Sequence, residues 1–306
     1  MARTSFPNTR KRADMIPAMK WLVVALLLPW GAGANAVSVI DDYGHPVELA
    51  QPAQRIVSLA PSLTELAYDA GAGARLVGAV QYSDYPPAAR GLPRIGSDAG
   101  IDVEALLALR PDLVLAWPNA GSVKTIERLA SLGLPVFRSE PRELADIPRT
   151  LERLGELAGT REVAARAAAD FRARAAELAA RYAGRARVRV FYEIWDRPLM
   201  TVNGTHLISK VIRLCGGENV FAALPLIAPT IDREAVLKAD PDVIIGGGEG
   251  NIAPAWLDEW KAFPLRAAAR GRLYGITPAL VEQPTPRILE GARRMCTLLE
   301  GVRKAR

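Results

Sequence analysis

The chain has 306 residues, half of them hydrophobic and 24% charged, which is ordinary globular composition with enough length for two hydrophobic cores. The net charge of +6 does not point to nucleic acid. Much of the excess sits at the N-terminus, and the other arginines are scattered between Glu and Ala rather than forming a basic stripe with interleaved aromatics.

Arg3, Arg10, Lys11, Arg12 and Lys20 precede an apolar run from Trp21 to Trp30, and Ala34-Asn35-Ala36 places small residues at A-x-A spacing. The pattern predicts a signal peptide over 1–36 cleaved after Ala36, with Met15 or Met19 as alternative starts. An apolar run of about ten residues is far short of the roughly twenty needed to span a bilayer. The mature chain is therefore expected to be exported and soluble.

Val37 to Leu49 reads as two short strands around an Asp41-Asp42-Tyr43-Gly44 turn, and Arg55 to Leu59 as a short apolar strand. Pro61-Ser62 opens a helix in which Ser62 and Glu65 stand at capping-box spacing, and Gly71 and Gly73 end it. Strands at Leu76 to Val80, Leu113 to Trp117 and Val136 to Arg138 then alternate with helices at Val103 to Leu109 and Val123 to Leu132. Such alternation predicts a parallel sheet covered by helices.

From Ile147 to Tyr182 the chain is one run of Ala, Arg, Glu and Leu, broken only at Gly159-Thr160. It predicts a long helix spanning about 30 Å, able to serve as a rigid connector. The alternation then resumes with a strand at Val188 to Ile194, helices at His206 to Leu214 and Glu234 to Leu237, and a strand at Val243 to Gly246. A helix at Trp256 to Phe263, a strand at Leu273 to Ile276 and a closing helix at Pro286 to Val302 complete it. The predicted fold class is α/β: two Rossmann-like βα lobes, 37–157 and 185–306, joined by one backbone helix over 158–184.

An internal repeat supports two lobes. Asp102-Val103-Glu104-Ala105-Leu106-Leu107, with Pro111-Asp112 and an apolar strand behind it, recurs 130 residues later as Asp232-Arg233-Glu234-Ala235-Val236-Leu237 with Pro241-Asp242. Asp102 and Asp232 are good helix N-caps, and Glu104 and Glu234 complement the helix dipole. The same device in both lobes also fits a symmetric docking role.

Little points to catalysis. His45 and His206 are the only histidines, and no His-x-x-x-His or Cys-x-x-Cys spacing exists, so neither a metal centre nor a cofactor is expected. Gly246 to Asn251 lacks the Gly-Lys-Ser/Thr ending of a nucleotide loop and reads as a flexible loop at a strand end. An enzyme built on the carboxylates Asp84 and Glu282 is the rival from another class. Cys215 and Cys296 are the only cysteines, and export favours a disulfide over two buried thiols. Tyr82, Tyr85, Trp117, Tyr192 and Trp195 fall where strands end, positions that face the crevice of an open α/β sheet. Flat rings there suit a bulky planar ligand.

Several segments together resemble a known family: Arg55-Ile56-Val57-Ser58-Leu59-Ala60-Pro61-Ser62 with Thr64-Glu65, Tyr82-Ser83-Asp84-Tyr85-Pro86-Pro87, Leu214-Cys215-Gly216-Gly217-Glu218-Asn219-Val220-Phe221, and Thr285-Pro286-Arg287-Ile288. The chain after the leader resembles the helical-backbone (class III) periplasmic binding proteins, and within them the cobalamin-binding members. The first motif is shared with siderophore and haem binders; the second and third are more specific.

The resemblance implies a monomeric periplasmic protein that holds cobalamin or a related corrinoid between rigid lobes and delivers it to the permease dimer of an ABC transporter. It implies corrin contacts at Tyr82, Trp117 and Met200, and a ligand loop of Ala279, Leu280, Val281, Glu282 and Gln283. It also implies permease contacts at Glu104 and Glu234, and a Cys215–Cys296 disulfide. Asp98 and Ala228 stand where the cobalamin binders have tryptophans, and Ala279 and Gln283 replace an acid and an arginine. Tyr192 and Trp195 are candidates for the missing aromatic faces.

Overall fold

A computed structural model describes residues 1–2, 4–5, 36–97, 100–119 and 121–305. Asp98 and nearly all of the predicted leader, including Trp21 to Trp30, lie outside the described residues. No described helix is long and apolar enough to cross a membrane.

The hairpin β1 (Val37–Ile40) and β2 (Pro46–Leu49) comes first. It is followed by β3 (Ile56–Ser58), α1 (Pro61–Asp69), β4 (Leu76–Ala79) and the two-residue pair β5 (Gly96–Ser97) and β6 (Gly100–Ile101). Then come α2 (Val103–Ala108), β7 (Leu113–Ala116), α3 (Val123–Ser131) and β8 (Val136–Arg138). The sheet runs β4-β3-β7-β8, all parallel. Its strands are short Val/Leu/Ala runs because both faces are covered: Val57 and Val114 pack with Leu106, Ile126 and Leu129, while Ile56, Leu113 and Leu115 pack into the larger core on the other side.

Next, α4 (Asp146–Ala158) stops at Gly159, whose φ of 64° is left-handed. A Cβ there would sit 3.0 Å from Pro52, so a side chain would be both strained and crowded. The 22-residue α5 (Arg161–Tyr182) follows and buries Ala164, Ala168, Phe171 and Leu178. At 1.5 Å per residue it spans about 33 Å.

The second sheet contains β9 (Val188–Asp196), β10 (Leu199–Thr201), β11 (Gly217–Asn219), β12 (Val243–Gly247) and β13 (Leu273–Ile276), with α6 (Leu207–Leu214), α7 (Arg233–Ala239), α8 (Arg266–Ala269) and α9 (Ile288–Lys304) around it. Its order is β10-β9-β12-β13, with β11 pairing the first half of β9 in parallel and β10 pairing the second half antiparallel. Both sheets thus place their first parallel strand beside a later, nonadjacent one, which creates a switch point at the carboxyl ends.

The repeated motif has a physical explanation at both ends. Asp102 and Asp232 cap their helices by accepting from the N–H groups of Ala105 (2.9 Å) and Ala235 (2.6 Å). Asp112 accepts from the N–H of Arg55 (2.8 Å) and Asp242 from that of Arg189 (2.9 Å), so each acid pins the entry of its lobe's first parallel strand. The disulfide joins Cys215, at the end of α6, to Cys296 on α9, and both residues are fully buried.

Several expectations change. Ser62 lies inside the first turn of α1, whose N-cap is Ala60, so no capping box forms and Glu65 is used elsewhere. The helix predicted over Trp256 to Phe263 is a 3₁₀ stretch, Ala255–Ala262, bounded by Pro254 and Pro264. The closing helix starts at Ile288 rather than Pro286. Strands β10 and β11 had no signal of their own at three residues each.

Candidate functional site

A cleft of about 910 Å³ opens beside the carboxyl ends of all four strands of the first sheet, near the upper limit of small-molecule sites. Leu59 to Leu63 follow β3, Val80 to Tyr82 follow β4, Trp117, Asn119, Gly121 and Ser122 follow β7, and Ser139 to Glu143 follow β8. The second lobe closes the cleft with Thr205, His206, Leu207 and Lys210 at the start of α6, with Ile227, and with Glu282, Gln283 and Pro284 after β13.

Two aromatic rings face this space. Tyr82 is 74% exposed and has φ 64°, a left-handed conformation unfavourable for any residue with a Cβ by about 1–2 kcal/mol. Its surroundings hold it there: the Gln81 N–H donates to the Gly96 carbonyl at 2.8 Å, and Arg94 donates to the carbonyls of Val80 (3.3 Å) and Ser83 (3.1 Å). Trp117 is 47% exposed, and its carbonyl accepts from the Ser122 hydroxyl at 2.9 Å. That hydroxyl also accepts from the Asn119 N–H, which makes a tight turn of the Trp117 loop.

The cations of the cleft wall are each paired with a carboxylate. Arg142 donates to Glu140 at 2.9 Å, and Glu140 also accepts from the Tyr43 hydroxyl at 2.5 Å. Tyr43 lies in the N-terminal hairpin turn; partial burial and this carboxylate push its hydroxyl up to about 12. Lys210, from the second lobe, pairs with Glu143 of the first. Glu282 is largely buried, which raises its carboxyl, and it accepts from the Tyr192 hydroxyl at 3.4 Å. His206 Nδ1 accepts from the Ile208 N–H at 3.1 Å as the cap of α6, and burial lowers its pKa to about 4. The ring is neutral at neutral pH, with its proton on Nε2.

The predicted contacts divide. Tyr82, Trp117, Glu282 and Gln283 come together in the cleft. Tyr192 does not reach it: β9 runs on to Asp196, so Tyr192 is a mid-strand residue that alternation turns into the core, fully buried. Trp195 and Met200 sit opposite each other on the β9–β10 hairpin, outside the cleft wall, where the Trp195 indole donates to the Arg197 carbonyl. Leu280 and Val281 are buried anchors of the segment after β13, and Ala279 stands beside them without lining the cleft. Tyr85 is turned away, its ring centroid 3.6 Å from the Arg287 guanidinium carbon. Glu104 and Glu234 are exposed on the first turns of α2 and α7.

Sequence reasoning missed Ser139 to Glu143, Thr205, Leu207, Lys210 and Ile227. The segment after β8 follows the same strand-end rule as Tyr82 and Trp117, so its position was readable. The start of α6 was not, because it comes from a helix rather than a strand end.

The periplasmic binding protein family model matches residues 56–279. The vitamin B12-binding protein of Vibrio cholerae is 36% identical over 257 residues, covering 83% of this chain and 91% of that one. The Yersinia pestis vitamin B12-binding protein is 37% identical over 83% of this chain and 89% of its own length. Among solved structures, the periplasmic vitamin B12-binding protein BtuF of Vibrio cholerae superposes with a TM-score of 0.76 at 35% identity, over 83% of this chain and 99% of that one. A periplasmic haem-binding protein from Pseudomonas aeruginosa has a TM-score of 0.67 at 25% identity, over 80% of this chain and 92% of that one. With its class III α/β fold, the chain belongs to the periplasmic binding protein family.

Proposed function

We propose that this protein captures cobalamin, or a related corrinoid, in the cleft between its lobes and releases it to the permease dimer of an inner-membrane ABC transporter. The observation that carries this reading is the chemistry of the cleft wall. It combines two exposed aromatic faces with charged groups whose charges are already balanced, Arg142 by Glu140 and Lys210 by Glu143. A corrin is a broad ring fringed with neutral amides, which asks for flat apolar contact and hydrogen bonds rather than free cations. Haem and anionic siderophores bring carboxylates or net negative charge that this wall would have to meet by breaking its own ion pairs. His206 is unsuited to iron, since its capping bond leaves the proton on the outward nitrogen. The vitamin B12-binding proteins among the relatives support the same ligand.

The protein acts by binding and release rather than by turnover. The predicted leader supports a periplasmic location, and Glu104 and Glu234 are the permease contacts. Isothermal titration of the purified protein with cyanocobalamin, and separately with haemin, tests the ligand. Saturable one-to-one heat with cyanocobalamin and none with haemin is expected. Haemin binding with a Soret shift and no cyanocobalamin signal would transfer the site to haem.

A further inference from the structure

We infer that Glu65, Arg287 and Tyr85 form a clamp between the lobes that sets the aperture of the cleft, making them positioning residues for the ligand rather than contacts with it. The inference rests on the corrinoid reading only for the choice of probe.

The clamp ties together three segments that build the cleft. Glu65 lies one turn after Pro61, Ser62 and Leu63, which line the first-lobe wall from α1. Arg287 follows Glu282, Gln283 and Pro284, which line the wall from the second lobe. Tyr85 ends the loop that begins with Tyr82. Arg287 Nε donates to both carboxylate oxygens of Glu65, at 2.9 and 3.0 Å, and its terminal nitrogen donates to Oε2 at 2.5 Å. The other side of the guanidinium meets the Tyr85 ring at 3.6 Å. Planar charge is thus held between a carboxylate and an aromatic face, an arrangement that suits arginine and not lysine.

Burial decides why this contact matters more than the Lys210–Glu143 pair, which also joins the lobes. Glu65 is 1% exposed with the lobes together, so neither water nor salt screens its pairing with Arg287, and removing either partner leaves the other buried without its counter-charge. Lys210–Glu143 has a half-exposed acid, so water and salt screen it. Glu290, in the first turn of α9, adds negative charge near the same guanidinium. Arg287 therefore has more than one reason to stay, and it is absent from the cleft wall itself.

The test combines binding kinetics with a distance that needs no ligand. Spin labels at the exposed positions Glu127→Cys on α3 and Lys238→Cys on α7 report lobe separation by double electron–electron resonance, beside stopped-flow dissociation of cyanocobalamin. Glu65→Gln and Arg287→Met are expected to broaden the distance distribution and to speed dissociation by roughly tenfold, with helical content unchanged. Arg287→Lys should restore the charge but not the narrow distribution. Tyr85→Leu, at a 43% exposed position outside the core, covers the case in which the pair variants do not fold. It should speed dissociation by about two- to fivefold. A narrow distribution with unchanged dissociation in these variants overturns the clamp, and so does a broadened distribution with unchanged dissociation. If wild type gives a narrow distribution but binds no cyanocobalamin, the ligand assignment fails; the distance measurement then decides the clamp.

Discussion

The two lobes share a topology and a sequence motif, yet they build the cleft in different ways. The first lobe contributes the ends of all four parallel strands and both exposed rings, Tyr82 and Trp117. The second contributes one strand end, the segment after β13, together with the start of a helix carrying His206 and Lys210 and the single residue Ile227. The extra length of β9 causes the difference. Its carboxyl half is taken up by the hairpin with β10, which carries Trp195 away from the cleft. A repeated scaffold therefore does not imply a repeated site: ligand contact comes from whichever strand ends remain uncovered.

The largest contrast expected between lobe function and ligand binding lies in delivery. Reversing the charge of Glu104 and Glu234 together should abolish import into cells while leaving the cyanocobalamin titration unchanged; lost affinity would make these residues structural. The next effect separates the lobes by stability, because the disulfide lies wholly in the second. Replacing Cys215 and Cys296 by serine should cost about 2–5 kcal/mol in denaturant unfolding, since the bridge closes a loop of 81 residues.

Binding breaks the symmetry the other way. Tyr82→Ala and Trp117→Ala should each weaken cyanocobalamin by roughly 10- to 100-fold, about 1.5–3 kcal/mol, whereas Trp195→Ala should change it by less than about twofold. Tyr82→Gly gives a sharper version, because glycine tolerates φ 64° and removes the ring without straining the fold.

Each lobe also buries one acid pushed up to about 7. For Asp69 burial is the main cause, with Glu65 adding to it; for Glu193 burial again dominates, partly offset by the Trp260 indole donating at 2.6 Å. Both hold a proton in the native state that the unfolded chain releases near pH 4. Their contribution to stability is full below that pH and falls away as pH rises through about 7. Asp69→Asn and Glu193→Gln should each flatten the decline in Tm between pH 5 and pH 8; an unchanged slope would show that neither acid titrates there. The smallest effect should be equal in the two lobes: Asp102→Ala and Asp232→Ala each remove one helix cap and cost about 1 kcal/mol by thermal unfolding.

Much of the fold was legible because its signals are local. Short apolar strands alternating with helices, the Gly159 stop and the paired Asp caps each depend on a few neighbouring residues. Half of the cleft was legible for the same reason: in an open α/β sheet, the residue after a strand faces the crevice, and Tyr82 and Trp117 obey that rule. Tyr192 and Trp195 failed it because strand length is decided by pairing partners. Nothing in the sequence near Ile194 says that β9 continues to meet β10.

By itself, the sequence determined the α/β architecture, the repeat, the cap residues and the family, all of which follow from periodicity and short motifs. Only the tertiary structure decided that Glu65 serves Arg287 across 222 residues instead of capping its own helix, that Tyr85 stacks on that arginine instead of facing the ligand, and that helix α6 completes the cleft. The reason is the same in each case. A buried carboxylate or ring takes the partner that the packing of distant segments brings to it, and that choice leaves no mark on the residues nearby.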